Sequence, residues 1–184
     1  MKTKTVKELM VPVSDYATVS KYATLKEALA ALENKTKRHG DAPYRHRSLV
    51  VVDENQYVVG RVSQIDIMRA LEPKYNELGD ARWMERAQLS KRMLTTIREQ
   101  FQLWDQPVET MAKTMETVKV ADIMQIPAEG EFVLETDTLN ITMHRIVMGR
   151  HHSLLVATKN KVIVGILRST DVFNALYDMI HKTD

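Results

Sequence analysis

The 184-residue sequence contains no cysteine. That absence removes disulfides, thiolate nucleophiles and every cysteine-ligated zinc or iron–sulfur site. No apolar run approaches the ~20 residues of a membrane-spanning helix, and the opening Met1-Lys2-Thr3-Lys4-Thr5 leads into no apolar signal region. A soluble, cytoplasmic protein with no membrane partner is expected. Charge of one sign is scarce too, since 26 Lys plus Arg face 24 Asp plus Glu for a formal net charge of +2. So small an excess advertises no polyanion surface, and nucleic acid is not an expected partner. The sequence also lacks a Gly-x-Ser-x-Gly elbow, a phosphate-loop Gly-Lys-Ser/Thr and a His-Glu-x-x-His pair. No enzyme activity is expected.

What the sequence does contain is an internal repeat. Val6-Lys7-Glu8-Leu9-Met10 returns as Val120-Ala121-Asp122-Ile123-Met124, and Thr24-Leu25 as Thr138-Leu139, both offset by 114. Arg45-His46-Arg47-Ser48-Leu49 then matches Arg150-His151-His152-Ser153-Leu154, and Val58-Val59-Gly60 matches Ile163-Val164-Gly165, offset by 105. The change of nine is one insertion in the first copy, assigned to a loop in or beside Glu33 to Arg38. Copy one spans residues 6–71, copy two 120–176, and 72–119 lie between.

Both copies read alike. Thr24 and Glu27 form a capping-box pair, followed by Leu25, Ala28, Leu29 and Leu32 at the spacing of one buried helical face. Leu139, Thr142, Met143 and Ile146 repeat that face. Ser48 to Val52 with Tyr57 to Val62, and Ser153 to Ala157 with Val162 to Leu167, predict two hairpins. Helices follow over Gln64 to Leu71 and Ser169 to Tyr177, and short strands are expected at Thr18-Val19 and Phe132-Val133. Each copy is therefore strand, helix, strand, strand, helix. A unit of ~60 residues is marginal alone, so the copies should pack together around a central cleft. The expected fold is α+β, two tandem β-α-β-β-α repeats with pseudo-twofold symmetry and a helical insertion between them.

The segment Gly60-Arg61-Val62-Ser63-Gln64-Ile65-Asp66 joins a strand to a helix. Glycine permits close backbone approach, a hydroxyl and helix N-terminal N–H groups suit a phosphate, and a carboxylate one turn in can take both ribose hydroxyls. The same residues are also a capping box needing no ligand. Copy two keeps the Gly and the Asp, in Gly165-Ile166-Leu167-Arg168-Ser169-Thr170-Asp171, but has Arg168 where copy one has Ser63.

The Met-ended openings, the hairpins and the Gly-x-x-Ser/Thr-x-x-Asp pattern resemble a tandem pair of CBS domains, or Bateman module. The resemblance covers about two-thirds of the chain. It implies a regulatory pair with ligand sites in the cleft, taking AMP, ADP or ATP, or S-adenosylmethionine and related adenosyl compounds, with no required cofactor. Carried over, it implies Asp66 and Asp171 on ribose hydroxyls, Ser63 near a phosphate, and Thr18, Val19, Phe132 and Val133 beside adenine. Arg168 departs from the pattern and would grip phosphate or fill the cavity.

Charge placement agrees with a phosphorylated ligand. Residues 35–47 carry a net +4 and 145–152 a net +2, leaving −4 elsewhere, and five of the six histidines lie in or beside these segments. Arg47 and His152, next to equivalent strands, are assigned to the site, and a zinc cluster is discounted. In the central segment Trp83, Ala87, Ser90, Leu94, Ile97, Phe101 and Trp104 form a heptad-like seam on one helix starting near Asp80. Pro107 breaks it, and Val108, Met111, Met115 and Val118 continue on a second helix. That stripe packs on the protein's own core or a second copy, or serves as a docking surface for a protein partner. The leading expectation is a nucleotide sensor that changes shape or oligomeric state; the alternative is a homodimeric scaffold with an empty cleft.

Overall fold

The hydrophobic alternation of the hairpin segments folds as the sequence implies. A computed structural model describes residues 4–38, 48–78 and 90–181. The first half contains β2 (Thr18–Ser20), α1 (Leu25–Arg38), β3 (Ser48–Val52), β4 (Val58–Ser63) and α2 (Gln64–Leu71), preceded by a two-residue strand β1 (Val11–Pro12). Two central helices, α3 (Lys91–Phe101) and α4 (Val108–Thr117), lead to a one-turn helix α5 (Val120–Ile123). The second half is β5 (Phe132–Leu134), α6 (Leu139–Gly149), β6 (Ser153–Ala157), β7 (Ile163–Arg168) and α7 (Ser169–His181). Among the described residues no helix is long and apolar enough to cross a membrane.

In each half a short strand runs parallel to the first hairpin strand, giving the orders β2-β3-β4 and β5-β6-β7. The hairpins match in detail. Each shifts register at an equivalent place, Val51/Val52 and Val156/Ala157, and each turn puts a non-glycine residue, Gln56 or Lys161, at φ 64°. Period-two alternation then sorts side chains to two faces. Val19, Leu49, Val51 and Val62 meet Ala28 and Leu32 of α1 in one core, while Val133, Leu154, Val156 and Leu167 meet Leu139 of α6 in the other. The opposite faces, through Val50 and Val52 on one side and Leu155 and Ile166 on the other, join with Tyr16 in a third core between the sheets. The Thr24–Glu27 capping box forms, its Thr24 N–H donating to Glu27 at 2.7 Å. Leu29, placed on the buried face by its spacing, is instead 44% exposed.

The two repeat openings are exchanged. Val6 is fully buried in the core of the second half, where its N–H donates to Asp137 O at 2.9 Å. Val120 is fully buried in the core of the first half and donates to Ala23 O at 2.8 Å. β1 then pairs antiparallel with the edge of β7, Val11 opposite Ile166, and Gln125 forms the matching bridge to Arg61 on β4. Burying one valine contributes roughly 1.5–3 kcal/mol, so each opening welds one half to the other.

This crossing explains the repeated glycines and methionines. A Cβ on Gly60 would lie 2.9 Å from Gln125 O and 3.2 Å from the Met124 sulfur, and one on Gly165 would lie 2.6 Å from the Met10 sulfur and 2.9 Å from Val11 O. The close approach that glycine permits is filled here by the other half's opening.

Two sequence expectations change. Glu33 to Arg38 is not a loop, because α1 continues to Arg38; the remainder of the inserted stretch, residues 39–47, lies outside the described residues. The seam through Trp104 also fails. α3 stops at Phe101, Gln102 takes a left-handed conformation with φ 49°, and Trp104 follows at φ 67°. Buried Glu72, 1% exposed, accepts the Trp104 N–H at 2.6 Å, while Lys74 Nζ donates to Gln102 O at 3.0 Å. These bonds turn the chain, so Leu103 is buried at 5% exposure and Trp104 is 40% exposed. Trp83 and Ala87 of the same seam lie outside the described residues. α4 packs on α1 and α2, with Lys26 and Glu116 paired at 2.7 Å.

Candidate ligand site between the halves

Each site builds on a strand that ends where a helix begins. Ser63 is the N-cap of α2, and its Oγ accepts from the Asp66 N–H at 3.2 Å. Asp66 returns the contact: its Oδ2 accepts from Ser63 N–H at 2.7 Å and from Ser63 Oγ at 2.6 Å. Its Oδ1 accepts from Gln125 Nε2 of the other half's opening at 2.8 Å. The carboxylate is buried, 6% exposed. The capping-box reading of this motif is therefore realised, and it leaves Asp66 with acceptor capacity, because a carboxylate offers about four lone-pair positions and three are taken.

In the second half Arg168 does by itself what Ser63 and Gln125 do together. Its N–H donates to Asp171 Oδ2 at 3.1 Å, its Nε to Oδ2 at 2.7 Å and its Nη2 to Oδ1 at 2.6 Å. This is a side-on bidentate pair of the strong, directional kind. Tyr16 adjoins it. Burial pushes the Tyr16 phenol up to about 12, opposed by the Arg168 guanidinium and reinforced by the Asp171 carboxylate.

Strand register fixes the rest. Thr18, Val50 and Arg61 form one row across the first sheet, and Phe132, Leu155 and Ile166 the equivalent row across the second. Strands sit about 4.8 Å apart and rise about 3.3 Å per residue, so Thr18 is roughly 12 Å from the Ser63 end of its sheet. That span suits a nucleoside phosphate. Thr18 also borders an open cavity of about 350 Å³ that Val13, Tyr16, Ala31 and Asn34 help to line. The cavity does not reach Asp66 or Asp171.

A CBS domain family model matches residues 6–73. The first half thus resembles a CBS domain in sequence. The whole chain has the fold of a CBS pair: CBSX2, a CBS-pair protein of Arabidopsis thaliana, superimposes with a TM-score of 0.62 over 98% of this chain and 99% of its own, at 19% identity. CBSX2 in complex with AMP gives 0.57 over 95% of this chain and 97% of that one, also at 19% identity. The CBS domain of a bacterial CNNM/CorC family Mg2+ transporter in complex with ATP gives 0.58 over 92% and 84%, at 17% identity. No curated protein matches in sequence.

Within this CBS-pair fold the anticipated residues do not all converge. Ser63 and Asp66 meet at one junction, Arg168 and Asp171 at the other. His152 stands beside the second, its carbonyl accepting the Ser169 N–H at 2.9 Å. Thr18 and Phe132 lie on the inter-sheet face, whereas strand alternation turns Val19 and Val133 into the cores, at 7% and 2% exposure. Their side chains pack in those cores. Arg47 lies outside the described residues, as do His39 and His46. Among the described residues no group of three metal-ligating side chains occurs.

Four side chains near the sites escaped the sequence reading: Tyr16, Arg61, Gln125 and Glu131. Arg61 spans the two halves, donating to Ser153 Oγ at 3.0 Å and pairing with Glu131 at 2.7 Å. The repeat held a signal for two of them. Arg61 stands where copy two has Ile166, and Gln125 where copy one has Val11, and those polar-for-apolar exchanges are bridge partners.

Proposed function

We propose that this CBS pair is a regulatory module that senses an adenosyl ligand between its two domains, AMP, ADP, ATP or a relative such as S-adenosylmethionine. Occupancy is passed on through shape or oligomeric state rather than through chemistry. Residues 6–71 and 120–176 are taken as the two domains, and 72–119 as the helical segment joining them. The observation that carries the reading is the pair of equivalent carboxylates, Asp66 and Asp171, each one turn into a helix, each held by its own strand end, and each with an acceptor position open. The AMP and ATP complexes of similarly folded CBS proteins support it. Ser63 and the N-terminus of α2 suit the phosphate, and Thr18 or Phe132 the base. Arg47 and His152 are assigned to phosphate, and Arg168 exchanges Asp171 for phosphate when ligand enters.

Thermal melting against AMP, ADP, ATP and S-adenosylmethionine tests this. At 100 times its dissociation constant a ligand stabilises by about 2.7 kcal/mol, or roughly 5–10 °C for a chain of this size. Asp66→Ala and Asp171→Ala each remove one site; a flat panel with ligand-free protein refutes the sensor.

One observation favours the second reading, a homodimeric scaffold. Phe173, Tyr177 and Ile180 lie at i, i+4 and i+7 on α7 and are 65%, 53% and 60% exposed. An apolar stripe of that kind on a helix calls for a partner surface. Sedimentation across concentration, with and without nucleotide, separates a constitutive dimer from a ligand-controlled one.

A further inference from the structure

The lone-pair count at Asp66 sets a condition on binding there. Two ribose hydroxyls donate two hydrogen bonds, and one acceptor position is open. A ligand must therefore displace one of the three existing donors. Two of them come from Ser63 and hold the N-cap of α2. The third, Gln125 Nε2, belongs to no helix cap and reaches across from the opening of the second domain. We propose that Gln125 is a latch on the first-domain site, released when an adenosine ribose takes Asp66 Oδ1. This rests on the adenosyl-ligand reading above and names the element through which that ligand is felt.

The latch is placed to transmit its release. The Gln125 N–H donates to Arg61 O at 2.9 Å and its carbonyl accepts the Arg61 N–H at 3.1 Å. Just before it, α5 is tied to the first domain by Val120 N–H to Ala23 O at 2.8 Å and Ala121 N–H to Lys21 O at 2.9 Å. α4 precedes α5 directly and packs on α1 and α2. Loss of the side-chain bond loosens one end of this strap. Ligand and latch compete for one carboxylate oxygen, so each weakens the other by the same factor.

The second site has no such strap. Val11 occupies the place equivalent to Gln125 and has no side-chain donor, and all three bonds to Asp171 come from Arg168. A ribose at Asp171 displaces bonds that Arg168 donates from within the same domain. The two sites of the pair are thus unequal: at the first, a side chain of the opposite domain donates directly to the carboxylate, whereas at the second the carboxylate is held by Arg168 of its own domain.

Gln125→Met keeps the length of the side chain and removes its donor, and the full chain is titrated with AMP by calorimetry. The variant binds AMP at the first-domain site roughly ten- to a hundredfold more tightly than wild type, because a hydrogen bond to a charged acceptor no longer has to be broken. Its unliganded melting temperature falls. In wild type, saturating AMP speeds amide hydrogen exchange at residues 120–125, and in Gln125→Met these amides are already fast without ligand. A residue that merely holds the fold would lower both stability and affinity. Equal or weaker AMP binding by the variant, or unchanged exchange at 120–125 in liganded wild type, overturns the latch while the nucleotide reading stands. Failure of both proteins to bind AMP or ATP overturns the two together.

Discussion

Replacing a strand glycine by alanine usually stabilises a protein when the backbone can accept it, by about 0.4–1 kcal/mol through the unfolded chain. Neither Gly60 nor Gly165 adopts a positive φ that would forbid alanine. The exchanged openings reverse the sign. At Gly165 the new methyl meets the Met10 sulfur at 2.6 Å and Val11 O at 2.9 Å. The methionine can rotate away. The carbonyl cannot, because Val11 is held in register with Ile166 by the β1–β7 pairing. Overpacking of this kind costs about 1–3 kcal/mol, so Gly165→Ala nets a destabilisation of about 0–2.6 kcal/mol. For a chain of this size that is a fall of up to roughly 10 °C in melting temperature. Gly60→Ala meets Gln125 O at 2.9 Å with the Met124 sulfur further off, at 3.2 Å, and is the milder of the two. Urea denaturation provides the energies. The cycle with Met10→Ala apportions them: Met10→Ala costs less in the Gly165→Ala background than in wild type, since the sulfur contact is already spoiled. Coupling of Gly165→Ala to Met124→Ala rather than to Met10→Ala refutes the exchange of openings, since crossing puts Met10 against Gly165 and Met124 against Gly60.

Tyr16 gives a pH signature. Its neutral phenol is favoured in the folded state, with a pKa near 12 against the ordinary 10.0. The folded chain then holds a proton that the unfolded chain releases, so the contribution is present in full below pH 10 and is lost as pH rises from 10 to 12. Two pH units correspond to about 2–3 kcal/mol; Tyr16→Phe flattens that part of the stability curve, and an unchanged slope between pH 10 and 12 contradicts the buried placement. On α7, Phe173→Asp puts a charge at the N-terminal end of the exposed stripe; it leaves the monomer's unfolding energy within about 0.5 kcal/mol and weakens self-association at least tenfold by sedimentation, and an unaltered dimer constant shows that the stripe is not the contact.

The β-α-β-β-α order of each half was legible because local rules agree with the tertiary outcome. Thr24 and Glu27 cap α1, the alternating Leu49 and Val51 face a core, and α2 runs over the residues its pattern implies. The exchange of openings was not legible. Val6 to Met10 and Val120 to Met124 share one pattern, so packing at home and packing across satisfy it equally, and only the close contacts at Gly60 and Gly165 decide. The Ser63–Asp66 and Arg168–Asp171 junctions were visible as a doubled motif, whereas a residue's face within a two- or three-residue strand, such as the turn of Val19 and Val133 into the cores, was not. Trp104 failed for a different reason. Its place in the seam was correct by spacing, but Glu72, 32 positions earlier, captures its amide. A buried acceptor that far away leaves no local trace.

The exchanged openings also set the order in which the molecule can be finished. During synthesis residues 5–12 are made long before their partners, Thr138 at the start of α6 and the strand β7, which ends at residue 168. At 5–20 residues per second, roughly 8–30 s pass before β1 has an edge to join. The first core is incomplete until Val120 arrives, and the second until both its own strands and the long-waiting Val6 are present. The first core can therefore close once residue 124 is made, ahead of the second, and the slow step is the pairing of residues 5–12 with β7.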